Sequence, residues 1–186
     1  MRKLFAVLVM AGSIFSLGGC TTPASQLAAP DALASAAKSA SIQDGKAHVY
    51  IFHGTFHRAL IDGKVLVPID VYANGSNIGG INKGDVLFVE LQPGIYNFSW
   101  TERTKSSMAV HAEPVSFSLK ADQNLFLALD MRTGVGHFFG AIGALAEGID
   151  ASINDRSSEG VATVQNLKVV LPNSGMVPSP IGGTGS

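Results

Sequence analysis

The side chains best suited to chemistry are the five histidines, because a neutral imidazole can bind zinc or copper and can move protons near pH 7. They are His48, His53, His57, His111 and His137. The four-residue spacing of His53 and His57 would align them on a helix, but Gly54 and Thr55 disfavour a helix there. No HExxH run occurs. We therefore expect solvated histidines at strand ends or in loops and no metal site, with His53 and His57 as the candidate ligands if a metal does bind.

Nucleophiles and carboxylates form no catalytic motif in this sequence. No GxSxG run occurs, and Ser106 and Ser107 lie in a polar stretch that is typical of a hairpin loop. No GxGxxG run follows a predicted strand. Carboxylate pairs for glycoside hydrolysis could be drawn from Asp70, Asp85, Glu90, Asp130 and Asp150, but a sequence gives no distances between them. We expect no catalytic residues, no cofactor and no enzymatic activity.

The single cysteine, Cys20, lies at the end of an export signal. Two cations, Arg2 and Lys3, precede an uncharged apolar run over residues 4–17 that is too short for an ordinary membrane-spanning helix. The run ends in Leu17-Gly18-Gly19-Cys20, which resembles the lipobox of bacterial lipoproteins. That resemblance implies cleavage after Gly19 and a diacylglyceryl thioether on Cys20. A lone thiol forms no intramolecular disulfide.

Lipid on Cys20 would fix the location of the mature protein. Two or three acyl chains hold a protein on a bilayer almost permanently, whereas one chain binds reversibly. Thr21 follows the cysteine. In enteric bacteria, an aspartate at this position resembles a signal for retention in the inner membrane. We therefore expect a lipid anchor in the outer membrane, with the protein on its periplasmic face.

Charge argues against nucleic acid as a partner. Without residues 1–19 the chain keeps 11 of its 13 basic residues and all 14 acidic ones, so its formal net charge becomes −3. A nucleic-acid-binding domain is expected to be basic.

Composition divides the mature chain into three parts. Residues 20–45 are rich in Ala and Ser, and residues 173–186 are mostly Pro, Gly, Ser and other small residues, so neither segment can build a core. A short helix over Asp31–Ala40, capped by Asp31, has too little apolar surface to stay folded alone. We expect a lipidated flexible tether over 20–45, one domain over 46–172 and a disordered tail over 173–186.

The domain has the periodicity of β-strands. Strands are predicted at 47–52, 66–73, 85–91, 95–100, 115–119, 125–131 and 161–171. Asn74-Gly75-Ser76-Asn77 is a hairpin signal, because Asn and Gly tolerate the positive φ that a tight primed turn requires. Gln92-Pro93-Gly94 predicts a second turn, after which residues 95–100 return as the partner strand. In that strand Tyr96, Phe98 and Trp100 share one face, which indicates core.

This pattern predicts a mainly β domain, an antiparallel β-sandwich of the immunoglobulin-like or a similar type. One segment breaks the strand pattern, because apolar residues recur every three or four positions between Gly134 and Asp155, at Phe138, Ile142, Leu145, Ile149 and Ile153. That spacing predicts a short Gly-rich helix lying across an open face or end of the sandwich. The alternative is a helix that touches the membrane or mediates self-association.

The order of motifs resembles a family of bacterial proteins, many of them lipoproteins, catalogued as domain of unknown function 2846. The matching segments are Gly45 to Phe52, Val71 to Gly75 with Ile78-Gly79, and Leu91 to Tyr96. The resemblance covers roughly residues 45–135 and implies a fold, not an activity. Relatives tend to have a basic residue after the first strand, where this chain has His53-Gly54. No catalytic residues are implied.

These features favour a lipid-anchored cell-envelope lipoprotein that acts as a non-enzymatic binding module for an envelope protein, a lipid or a cell-wall partner. Two alternatives remain open. One is a metal-dependent or hydrolytic periplasmic enzyme assembled from distant histidines and carboxylates, and the other is a self-associating structural component of the envelope.

Overall fold

The described part of the chain contains nine strands and two helices. The computed structural model describes residues 27–57, 68–103, 109–133, 149–173 and 177–182. In chain order the elements are α1 (Asp31–Lys38), β1 (Ala47–His57), β2 (Ile69–Ala73), β3 (Ser76–Ile81), β4 (Asp85–Leu91), β5 (Gly94–Glu102), β6 (His111–Leu119), β7 (Asn124–Thr133), β8 (Ile149–Asp155), α2 (Gly160–Val164) and β9 (Lys168–Val170).

The strands form two facing sheets, which confirms the predicted mainly β sandwich. One sheet has the order β3-β2-β5-β6 and is antiparallel throughout. The other has the order β8-β7-β1-β4-β9, and its pairings of β1 with β7 and of β4 with β9 are parallel. The five-stranded sheet is therefore mixed, not antiparallel as expected.

The core between the sheets is built by alternating apolar side chains. Tyr96, Phe98 and Trp100 of β5 are completely buried, as the alternation of β5 predicts. The indole Nε1 of Trp100 donates a hydrogen bond to the Ser152 carbonyl of β8 at 3.2 Å, which links the two sheets. The predicted hairpin is also confirmed, since Asn74 and Gly75 adopt φ angles of 49° and 77° between β2 and β3.

The turn after β4 does not make a hairpin. β4 pairs with β1 and β9, whereas β5 pairs with β2 and β6, so residues 92–93 carry the chain from one sheet to the other. The expectation that β5 is the partner strand of β4 was wrong. The physical reason is that β4 is apolar on both faces and needs a sheet covered on both sides, whereas β5 alternates.

The outer face of the five-stranded sheet is a second apolar cluster, covered by helices. Tyr50, Phe88 and Phe126 pack there with Ala37 of α1 and Val164 of α2. The molecule is thus three-layered, with helices on one sheet and the second sheet on its other face.

The segment expected to be a flexible tether takes part in this covering layer from Leu27 onward. The backbone N–H of Ala29 donates to the Val169 carbonyl at 3.0 Å, and that of Leu171 donates to the Leu27 carbonyl at 3.0 Å. Asp31 makes no side-chain cap, because Pro30 occupies the N-cap position of α1. Packing on the apolar sheet therefore stabilises a helix that is too short to be stable alone.

Two predicted elements need correction. Ile149–Asp155, assigned to a helix, is strand β8, where polar and apolar residues alternate and Ile153 enters the core. The rest of the predicted Gly-rich helix, residues 134–148, lies outside the described residues. The predicted strand over residues 161–171 is helix α2 followed by the short strand β9.

Part of the predicted disordered tail lies on the four-stranded sheet. The Ile181 N–H donates to the Ile95 carbonyl at 2.8 Å, and Asn74 Nδ2 donates to the Ser179 carbonyl at 2.8 Å. Residues 179–181 thus lie beside Ile95 of β5, beyond the end of β2.

Within the described ranges, neither helix is long and apolar enough to cross a membrane.

Candidate functional site

An ionic cluster lies on the outer face of the five-stranded sheet, where β1 begins. His48 lies on the outer face of β1, and Asp44 and Lys46 precede the strand in a bend where Gly45 has a φ of 79° and the Lys46 N–H donates to Asp44 Oδ1. His48 is the register partner of Glu90 across the β1–β4 pair. The antiparallel register therefore adds a carboxylate of β4 to the polar residues of β1.

The distances in this cluster are short. His48 Nε2 lies 3.2 Å from Asp44 Oδ1. Lys46 Nζ lies 3.2 Å from Glu90 Oε2 and 3.3 Å from Asp44 Oδ2, so the ammonium bridges the two carboxylates. One ligand atom each from Asp44, His48 and Glu90 can be chosen so that all three lie within 4.8 Å of one another.

His48 is the unusual member of the cluster. Its side chain is 0% exposed, and its ring stacks on Phe88 with a centroid separation of 5.8 Å. Among the described residues, neither ring nitrogen has a well-aligned hydrogen-bond partner, because the Asp44 contact is close but poorly directed. A buried polar group without such a partner costs about 1–3 kcal/mol.

Local hydrogen bonds favour the charged forms of Asp44 and Lys46. The Lys46 backbone N–H donates to Asp44 Oδ1 at 3.0 Å and lowers the pKa of that exposed carboxyl. The hydrogen bond to Glu90 raises the pKa of Lys46. At neutral pH, Asp44 is therefore a carboxylate and Lys46 is an ammonium ion.

A small apolar groove adjoins the cluster and shares Glu90 with it. The groove has a volume of about 260 Å³ and is lined by Leu33, Phe88, Glu90, Leu171, Pro172 and Val177. Ligand pockets usually measure roughly 300–1,000 Å³, so this groove fits one apolar side chain or a short apolar group. Phe88 joins the two features, since it lines the groove and stacks under His48.

The predicted metal candidates do not belong to this cluster. His53 lies further along β1, half-buried, with Nε2 donating to the Ile81 carbonyl at 3.4 Å. Burial lowers the pKa of His53, while the Ile81 carbonyl and the nearby Asp85 act against that shift. His57 is also in β1, so the two residues share no helical face, and a bulge lies between them. The His57 side chain, His137, Gly19 and Cys20 lie outside what the structure describes.

The other carboxylates considered for catalysis have structural partners. Asp130 is buried and accepts hydrogen bonds from the Thr55 backbone N–H at 2.5 Å and from Asn154 Nδ2 at 2.6 Å. Asp70 pairs with Arg103. Asp85 accepts two hydrogen bonds from Asn82. These contacts hold a strand bulge, a strand end and a turn in place. The Asp150 side chain lies outside the described part of the chain.

Sequence reasoning missed Asp44, named His48 among the five histidines without choosing it as a ligand, and considered Glu90 as a carboxylate for glycoside hydrolysis. The signal that was present is the closeness of Asp44, Lys46 and His48 in the sequence, at the start of a predicted strand. Completing the set required the β1–β4 register, which places Glu90 opposite His48.

No protein-family model, curated protein or solved structure matches this chain. The resemblance to family 2846 rests on its motifs and stays a prediction.

Proposed function

We propose that this protein is an outer-membrane lipoprotein, anchored through Cys20, whose sandwich domain is a non-enzymatic binding module facing the periplasm. The observation that supports it best is the apolar groove beside the ionic cluster. A groove with apolar walls and one carboxylate at its rim suits a short apolar segment with a cationic or amide group beside it.

The position of the groove links it to the proposed anchor. Leu27 pairs with Leu171 in the groove wall, and only six residues separate Leu27 from Cys20. Fully extended, that length spans about 25 Å. A partner in this groove would therefore lie within a short distance of the membrane surface, which favours an envelope protein as the partner.

Exposed apolar side chains extend the same surface. Leu27 is 70% exposed and Val177 is 49% exposed. Single exposed apolar residues are ordinary, but here Val177 lines the groove and Leu27 adjoins its wall.

The anchor is tested by intact-mass analysis of the protein extracted from membranes. The expected product begins at Cys20 and carries acyl chains, and the Cys20→Ser variant should lack them and leave the membrane fraction. An unmodified Cys20 in the wild-type chain would contradict the proposed anchoring.

The groove is tested by placing a photoreactive residue at Val177 in living cells, with the same residue at Ile95 on the other sheet as the matched control, since Ile95 is equally exposed. We expect one discrete adduct from Val177 only. Equal labelling from both positions, or none, would contradict binding in the groove. An adduct of the chain with itself would instead favour the self-associating alternative.

A further inference from the structure

We propose that Asp44, His48 and Glu90 form a binding site for a divalent transition-metal ion of the zinc type. In this site the Lys46 ammonium competes with the metal ion for the two carboxylates. This site goes beyond the proposed binding module and does not depend on the lipid anchor, and it shares Glu90 with the groove.

The donor set has the right chemistry. Zinc in proteins is bound by imidazole nitrogen and carboxylate oxygen, at about 2.0–2.2 Å. Three protein ligands with a fourth position for water is a common arrangement. A pure carboxylate set would favour Mg²⁺ or Ca²⁺, and the imidazole shifts the preference to zinc and its neighbours.

The geometry is close to that of a bound site. The three ligand atoms lie within 4.8 Å of one another, and zinc ligands at the bond lengths above lie roughly 3.2–3.6 Å apart. His48 is held by burial and by its stacking on Phe88, whereas Asp44 is exposed and Glu90 half-buried. The two carboxylates can therefore close by about 1 Å around a fixed imidazole.

The burial of His48 points to a ligand independently of the acidic residues. Its Nε2 is buried and lies 3.2 Å from Asp44 Oδ1, yet it has no well-aligned hydrogen bond among the described residues. A metal ion on Nε2 would bind the lone pair of this atom. Only one of the two ring nitrogens of His48 would then lack a partner.

Lys46 explains how the cluster holds together without a metal. Its ammonium neutralises the pair of carboxylates from a side chain that is 37% exposed. Metal binding must displace this ammonium into solvent, and an exposed ion pair is weak enough to be displaced. Lys46 should therefore lower the affinity for the metal without preventing binding.

Isothermal titration with Zn²⁺ tests the site in the full chain, purified in detergent through a tag without histidine. We expect one ion per chain. Asp44→Asn and Glu90→Gln should each weaken binding at least about tenfold, since loss of a residue that only orients a ligand already costs about that much. His48→Gln should abolish it, with circular dichroism as the check on folding. Lys46→Gln should tighten binding roughly fivefold, the equivalent of one surface ion pair.

His53→Gln is the matched control and should leave the affinity unchanged. Co²⁺ gives a second readout, because a tetrahedral site produces strong visible absorption that Glu90→Gln should remove. Absence of binding at millimolar Zn²⁺ would overturn the proposal. So would binding that survives both carboxylate substitutions or is lost in His53→Gln. Weaker binding in Lys46→Gln would overturn the competitor role.

Discussion

At the scale of single residues, His53 gives the sharpest prediction about pH. Burial lowers the pKa of His53 below its ordinary value of 6.5. Between the native pKa and about pH 6.5, the unfolded chain therefore binds more protons at His53 than the native chain does. The stability associated with neutral His53 is complete above about pH 6.5 and is lost as the pH falls through the native pKa.

The measurement is a pair of thermal melts at about pH 7.5 and about pH 5, chosen to bracket that range. The wild-type midpoint should fall more between them than that of His53→Gln, which has no proton to gain. Because the other histidines are common to both chains, the difference isolates His53. Equal falls would show that its pKa is not lowered.

Trp100 and Phe98 should dominate the stability of the core. Both are completely buried between the sheets, and truncation of such a large side chain leaves a cavity. Trp100→Ala and Phe98→Ala should each lower the free energy of unfolding by about 3–5 kcal/mol in urea titrations. Ile95→Ala is the control on the exposed face of the same strand and should change it by about 0.5 kcal/mol at most. A neutral Trp100→Ala would contradict this packing.

Single-residue predictions succeeded where a local pattern decides the environment. The alternation of Tyr96, Phe98 and Trp100 is such a pattern, because a strand determines its own two faces. The meeting of His48 with Glu90 is not local, since residues 42 apart in the sequence become neighbours only through strand register.

At the scale of elements, α1 should behave as part of the domain. Ala37 is completely buried against the sheet, whereas Ala32 is exposed on the same helix. Ala37→Glu buries an unpaired charge and should cost about 3–5 kcal/mol of unfolding free energy. Ala32→Glu has the same helix propensity change and should be nearly neutral. Equal effects of the two substitutions in chemical denaturation would mean that α1 does not pack as described.

The errors in the predicted elements share one cause, which is that packing between elements overrides the local sequence pattern. Ile149–Asp155 satisfies a helical and a strand spacing at once, and pairing with β7 decides for the strand. The helix α1 looked unstable because its own sequence cannot bury enough apolar surface. Yet the unbroken apolar run of β1 and β4 already indicated a sheet that needs a cover on both faces.

At the scale of the whole molecule, the sandwich follows from the number and alternation of the strands, but their distribution between the sheets does not. The parallel pairs β1–β7 and β4–β9 join segments far apart in the chain, and no local spacing encodes such a pair. The ionic cluster depends on this sheet, so it could not be predicted before the pairing of β1 was known.

The backbone pairing of Ala28 with Val170 joins the first described residues to β9, the last strand of the chain's described part. Closing a contact of such high sequence separation costs loop entropy, and folds rich in such contacts fold slowly. A chain synthesised from its N-terminus cannot complete this layer until residues 168–170 have also emerged. The completed domain then holds the segment that begins at Leu27 against the last strand, β9.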